Sequence, residues 1–81
     1  MSIEHPQVGG VYRHYKGGLY RVLSTHVMFE PLQRPLVLYR SVEVDEPTTW
    51  ARTLKAFCAT VEKPDGTKVP RFTREVGHGE G

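Results

Sequence analysis

Between Gly10 and Arg21 the chain brings together three tyrosines (Tyr12, Tyr15, Tyr20), three cations (Arg13, Lys16, Arg21) and His14, around the pair Gly17-Gly18. Cations interleaved with aromatic rings can hold a phosphate while a base stacks, each stacked base contributing about 1–3 kcal/mol. The same pattern also builds an ordinary hairpin, in which alternate residues enter the core and the charged ones stay solvated. Trp50 and Arg52 are two apart, so an extended segment points both to one face. On an open face they would be an indole platform and a guanidinium fork for anions; on a closed one, a core Trp with Arg52 against its edge. In Val69-Pro70-Arg71-Phe72, Phe72 reads as core, and Arg71 points away from it and could extend a basic face. The candidate ligand-binding residues are therefore Tyr12, Arg13, His14, Lys16, Tyr20, Trp50, Arg52 and Arg71.

Other chemistry is poorly represented. His5, His14, His26 and His78 do not have metal-ligand spacing. Cys58, between Phe57 and Ala59, reads as a small core residue rather than a nucleophile. Gly9-Gly10 and Gly17-Gly18 lack the spacing and the following helix of a phosphate loop. The carboxylates Glu43, Asp45 and Glu46 cluster in a polar stretch that reads as a solvated loop. No catalytic residue, metal ligand or cofactor is implied, so a binding module is the expectation ahead of an enzyme.

Strands must position these residues. Segments 11–16 and 19–25 flank Gly17-Gly18, and glycines as the two central turn residues would set Tyr15 opposite Tyr20. Met28–Gln33 contains Pro31 and reads as a loop ended by Pro35. Leu36–Val44 is the strongest strand, apolar and β-branched at first, then alternating. Trp50-Ala51-Arg52 reads as extended, and Thr53 as the N-cap of one helical turn through Phe57. Ala59–Glu62 and Lys68–Thr73 read as strands joined by a turn at Lys63-Pro64-Asp65-Gly66-Thr67, where Pro and Asp-Gly supply the turn chemistry. Five or six short strands and one helical turn in so short a chain predict an all-β domain closed into a small barrel, which would remove exposed edges.

At 81 residues the chain suits one domain with a small core. Its formal charge is only +2, but it is uneven. Residues 1–40 carry Arg13, Lys16, Arg21, Arg34 and Arg40 against Glu4 and Glu30, whereas carboxylates slightly outnumber cations in the remainder. A basic first half points to an anionic partner. A lone cysteine excludes an internal disulfide framework and suits a reducing cytoplasm. The first residues have neither a basic nor an apolar signal region, and no apolar run could span a bilayer, so no membrane partner is expected.

The run Gly10-x-Tyr12-Arg13-His14-Tyr15-Lys16-Gly17-Gly18-x-Tyr20-x-Val22 resembles the N-terminal signature of a small bacterial family catalogued as a domain of unknown function, number 1653. Leu36-Val37-Leu38-Tyr39, then Trp50-x-Arg52 with Phe57 downstream, then Gly66 with Val69-x-Arg71-Phe72 follow in the family's order, over roughly residues 9–73. The resemblance implies a small SH3-like β-barrel with no assigned activity, and it singles out Tyr12, His14, Lys16, Tyr20, Trp50, Arg52 and Arg71. The chain departs from the pattern at Met28–Gln33, where the family usually has a His-Ser-Glu-Thr-like run. It departs again at Thr53, where a proline usually follows the Trp-x-Arg arginine.

The expectation is an N-terminal arm over 1–8, an SH3-like barrel over 9–74 and a disordered tail over 75–81. Barrel closure should bring Trp50-Ala51-Arg52 and Arg71-Phe72 near the first hairpin. The expected function is recognition of single-stranded nucleic acid or a nucleotide-like anion. The alternatives are a protein-interaction module that docks extended, Pro-rich segments on aromatic grooves, and a small enzyme of unknown reaction.

Overall fold

The computed structural model describes residues 5–75. Its strands follow the glycine and proline punctuation, with several local differences from expectation. β1 (Val11–His14) and β2 (Leu19–Phe29) form an antiparallel hairpin. Its loop is residues 15–17 rather than Gly17-Gly18: the His14 N–H donates to the Gly18 carbonyl and the Gly17 N–H to the His14 carbonyl, each at 2.7 Å. Gly17 has φ 115°, a region closed to most residues with a Cβ. This three-residue loop, beginning earlier in the chain than the expected two-residue turn, sets Tyr12, not Tyr15, opposite Tyr20.

β3 (Arg34–Ser41) pairs with β2 along nearly its whole length, and Met28 and Phe29 belong to β2 rather than to a loop. Pro31 is accommodated in the turn over 30–33, which Gln33 closes at φ 54° with its N–H donating back to Phe29. Pro35 lies opposite Met28, and the next strand outward pairs only from Leu36, so the missing N–H interrupts no ladder on that side. Two register shifts, between Val22 and Ser24 and between Ser24 and Val27, bend the long β2.

β4 (Trp50–Thr53) pairs with β3, setting Trp50 opposite Tyr39 and Arg52 opposite Val37. α1 (Leu54–Phe57) is the expected helical turn, and the Thr53 hydroxyl accepts from the Ala56 N–H at 3.1 Å. Thr53 has φ −60°, within the range a proline ring imposes. Threonine adds the capping oxygen that proline lacks.

β5 (Thr60–Glu62) and β6 (Lys68–Pro70) make a separate two-stranded ribbon around the expected turn, where Gly66 has φ 90° and Asp65 Oδ1 accepts from the Thr67 N–H. β7 (Phe72–Arg74) returns to pair with β1. The single final strand expected over 68–73 is therefore broken at Arg71. The Arg71 N–H donates to Ala59, beside the ribbon, and its carbonyl accepts from the Tyr15 N–H, beside the main sheet.

The main sheet has the order β4-β3-β2-β1-β7. The expected closed barrel does not form, because the outer strands β4 and β7 are not hydrogen-bonded to each other. The sheet is nonetheless strongly curled. Flat, its edges would lie four strand spacings apart, about 19 Å. Instead the Arg52 guanidinium of β4 sits 6.0 Å from the ring centre of Phe72 in β7.

The core fills the concave side. Tyr12, Val22, Val37, Tyr39, Phe57 and Phe72 are buried there, with Tyr20, Leu54 and Cys58 packed against them. Phe57 and Phe72 stack at 4.0 Å, and Tyr12 and Tyr39 meet Phe57 edge-on at 5.6 Å. Residues 1–4 of the expected arm and 76–81 of the expected tail lie outside the described residues.

Candidate functional site

α1 covers only part of the concave side. The uncovered part is an open cleft of about 380 Å³ lined by His14, Lys16, Gly18, Tyr20, Tyr39, Trp50 and Arg52. Strand alternation explains the membership. His14 is two residues beyond Tyr12 on β1, Tyr20 faces Tyr12 across the ladder, and Tyr39 faces Trp50, so all share one side of the sheet. The loop over 15–17 then brings Lys16 to the rim.

Arg52 Nε donates to the Tyr39 hydroxyl at 3.1 Å, which fixes the guanidinium; its terminal nitrogens have no oxygen partner among the described residues. His14 packs edge-on against Phe72 at 5.0 Å, and its Nδ1 accepts the Lys16 N–H at 3.1 Å. An accepting Nδ1 places the proton of the neutral ring on Nε2. Burial first, then the charges of Arg52, Arg71 and Lys16, lower the His14 pKa below its usual value, which favours the neutral ring. The Lys16 ammonium lies 5.8 Å from the Tyr15 ring centre and has no carboxylate partner among the described residues. Among the described residues, no carboxylate lines the cleft.

The aromatic residues divide between core and site. Trp50 is 48% exposed and Tyr20 is half-buried, whereas Tyr12 is only 8% exposed. The Tyr12 hydroxyl accepts from the Gln7 N–H at 3.0 Å, and Phe57 blocks its ring edge-on, so Tyr12 is a core residue and no platform. Trp50 takes the open-face position that its spacing from Arg52 allowed.

Two of the candidate cations lie elsewhere. Arg13 is on the opposite face of β1, where Nε donates to the Glu75 carboxylate at 2.9 Å and a terminal nitrogen to the Gly17 carbonyl at 2.7 Å. Arg71 is near enough to act on His14 electrostatically, but its Nε donates to the Ala56 carbonyl at 2.9 Å, at the end of α1. It ties the helix to the corner between the sheets. The structure thus unites His14, Lys16, Tyr20, Trp50 and Arg52 and separates Tyr12, Arg13 and Arg71 from them.

Sequence reasoning missed Tyr39 and Gly18. Tyr39 had a signal, since alternation along Val37-Leu38-Tyr39 sets it on the face of Val37, opposite Trp50. Gly18 is required by space: a Cβ there would approach the Tyr20 ring to 2.9 Å.

Among the described residues, no group of three or more His, Cys, Asp or Glu is placed to hold a metal ion. Cys58 packs against the core, and burial raises its thiol pKa, which disfavours the thiolate. No helix among the described residues is long and apolar enough to cross a membrane. Chemically, the cleft offers three donor groups for an anion beside an exposed indole and two phenol rings.

Comparison with curated proteins and with solved structures returns no match. A family model described as "Protein of unknown function (DUF1653)" matches residues 10–74, which include every residue lining the cleft. The chain therefore belongs to that family.

Proposed function

We propose that the domain is a binding module for an anionic, base-bearing ligand, a nucleotide or a single-stranded nucleic acid, held in the cleft between the first hairpin and β4. One observation carries this reading: the exposed Trp50 lies beside His14, Lys16 and Arg52 in a cleft that no carboxylate lines among the described residues. A base would stack on the Trp50 indole, with Tyr20 and Tyr39 forming the floor, while Arg52 and Lys16 meet the negative charge. The curled sheet with a helical turn over its concave side supports an SH3-like arrangement left open along one seam.

Trp50 is the single tryptophan, so its emission reports on the site directly. Titration with short RNA and DNA oligomers at two salt concentrations should change that emission, with affinity falling steeply as salt rises. Absence of binding at low salt, or affinity indifferent to salt, overturns the proposal. Salt-independent binding of Pro-rich peptides would instead favour an aromatic docking groove.

A further inference from the structure

The arginines are mostly occupied by the protein itself. Arg13 is held by Glu75 and Gly17, Arg21 by the Gly9 carbonyl, Arg40 by the Glu46 carbonyl and Arg71 by the Ala56 carbonyl. Among the described residues, the Lys16 ammonium, the terminal nitrogens of Arg52 and Nε2 of His14 have no oxygen partner. Arg34, Lys55, Lys63 and Lys68 are exposed but do not line it. Lys16 and Arg52 thus meet beside His14 in one cleft, while the other exposed cations lie singly outside it. A protein that follows a nucleic-acid backbone needs a row of cations. A concentrated cluster suits a single group of high charge. The cleft volume, about 380 Å³, is at the small-ligand end of binding sites.

We infer that His14, Lys16 and Arg52 form a subsite for a terminal phosphomonoester, so that the ligand is a nucleoside monophosphate or the phosphorylated end of a strand, not an internal stretch. The inference rests on the nucleotide reading above. A phosphomonoester carries close to two negative charges at pH 7 and three free oxygens, whereas an internal phosphodiester carries one charge. Arg52 is pre-oriented by Tyr39, so it can present two parallel N–H groups to two of those oxygens. His14 is locked as an Nε2–H donor by the Lys16 N–H, and it can give one hydrogen bond without a change of protonation. Lys16 supplies the second formal charge from the rim. Trp50, two residues from Arg52 on the same face, is placed to stack the attached base.

The test follows Trp50 emission of the full chain with a nucleoside, its 5′-monophosphate, the methyl ester of that monophosphate, and one oligonucleotide with and without a 5′-phosphate. The monophosphate should bind at least about tenfold more tightly than its methyl ester, the nucleoside hardly at all, and inorganic phosphate should compete. Lys16→Gln, at an exposed loop position that should leave the fold intact, should erase the preference for monophosphate over methyl ester. His14→Asn, which keeps an acceptor for the Lys16 N–H but loses the Nε2 donor, should weaken monophosphate binding with less effect on the ester. Equal affinity for monophosphate and methyl ester overturns the inference. If the oligonucleotide binds tightly with or without its terminal phosphate, the nucleotide reading stands and this inference falls. If neither oligonucleotide nor monophosphate binds at low salt, both fall.

Discussion

Arg52 and Phe72 occupy opposite edges of the five-stranded sheet, yet the Arg52 guanidinium lies 6.0 Å from the centre of the Phe72 ring. The two edges share no ladder, so side chains carry this contact across the seam. Arg52→Gln removes both the cation over Phe72 and the Nε bond to Tyr39. It should lower stability by about 1–2 kcal/mol, the range for a partly buried hydrogen bond plus a cation–π contact. Urea unfolding measures this directly, and an unchanged midpoint would show that the seam is held by other contacts.

Tyr12 and Trp50 should separate folding from binding. Tyr12→Ala opens a cavity against Phe57 and should cost about 3–5 kcal/mol, which a domain this small cannot readily absorb. Trp50→Ala removes a side chain that is half in solvent, and should change stability by about 1 kcal/mol or less while abolishing ligand binding. Since Trp50→Ala also removes the fluorophore, circular dichroism in urea follows its stability and calorimetry its binding. A large loss of stability on Trp50→Ala would assign the indole to the core.

The hairpin glycines should respond differently. Gly17→Ala strains the backbone at φ 115° and should destabilise by about 1–2 kcal/mol, with nothing near its Cβ to clash. Gly18→Ala places a methyl 2.9 Å from the Tyr20 ring and should push that ring into the cleft. The expected result is weaker ligand binding out of proportion to any stability change, read by the titration above and by the Tyr20 ring resonances.

His14 gives the fold a pH dependence of defined sign. Its folded-state pKa lies below the ordinary histidine value, because burial and then Arg52, Arg71 and Lys16 oppose a positive ring. The unfolded chain therefore takes up a proton first as pH falls, so this contribution to stability is intact above about pH 6.5 and declines on acidification through that value towards the folded pKa. Protonation of Nδ1 would also set a donor against the Lys16 N–H. The wild-type protein should thus lose more thermal stability between pH 7.5 and 5.5 than His14→Asn does. Parallel curves would assign the loss to other groups.

Much of the site was legible because strand alternation is local. Trp50 and Arg52 share a face whatever surrounds them, and Thr53 caps α1 through a hydroxyl three residues from the N–H it satisfies. What decides between Tyr12 and Tyr20 is not local. The two lie opposite each other on one face, and only the arrival of Phe57 over Tyr12 makes one core and leaves the other at the cleft. Arg71 and Arg13 were legible as cations but not as occupied ones, since their partners Ala56 and Glu75 meet them only in the folded chain. Two glycines at the hairpin are compatible with either loop length, and the register followed from the three-residue loop. Barrel closure is likewise undetermined by composition: the same short strands can close or, as here, curl and stop.

The pairing of β1 with β7 sets Tyr12 directly opposite Arg74, so the points where the chain enters and leaves the domain are neighbours. Strand partners are about 5 Å apart, a gap that a short linker bridges. The domain is therefore suited to circular permutation. New termini opened in the exposed turn over 63–67, with the old ones joined, would leave every strand of the main sheet uncut. By the same geometry the domain could be spliced into a loop of a host protein without forcing that loop apart.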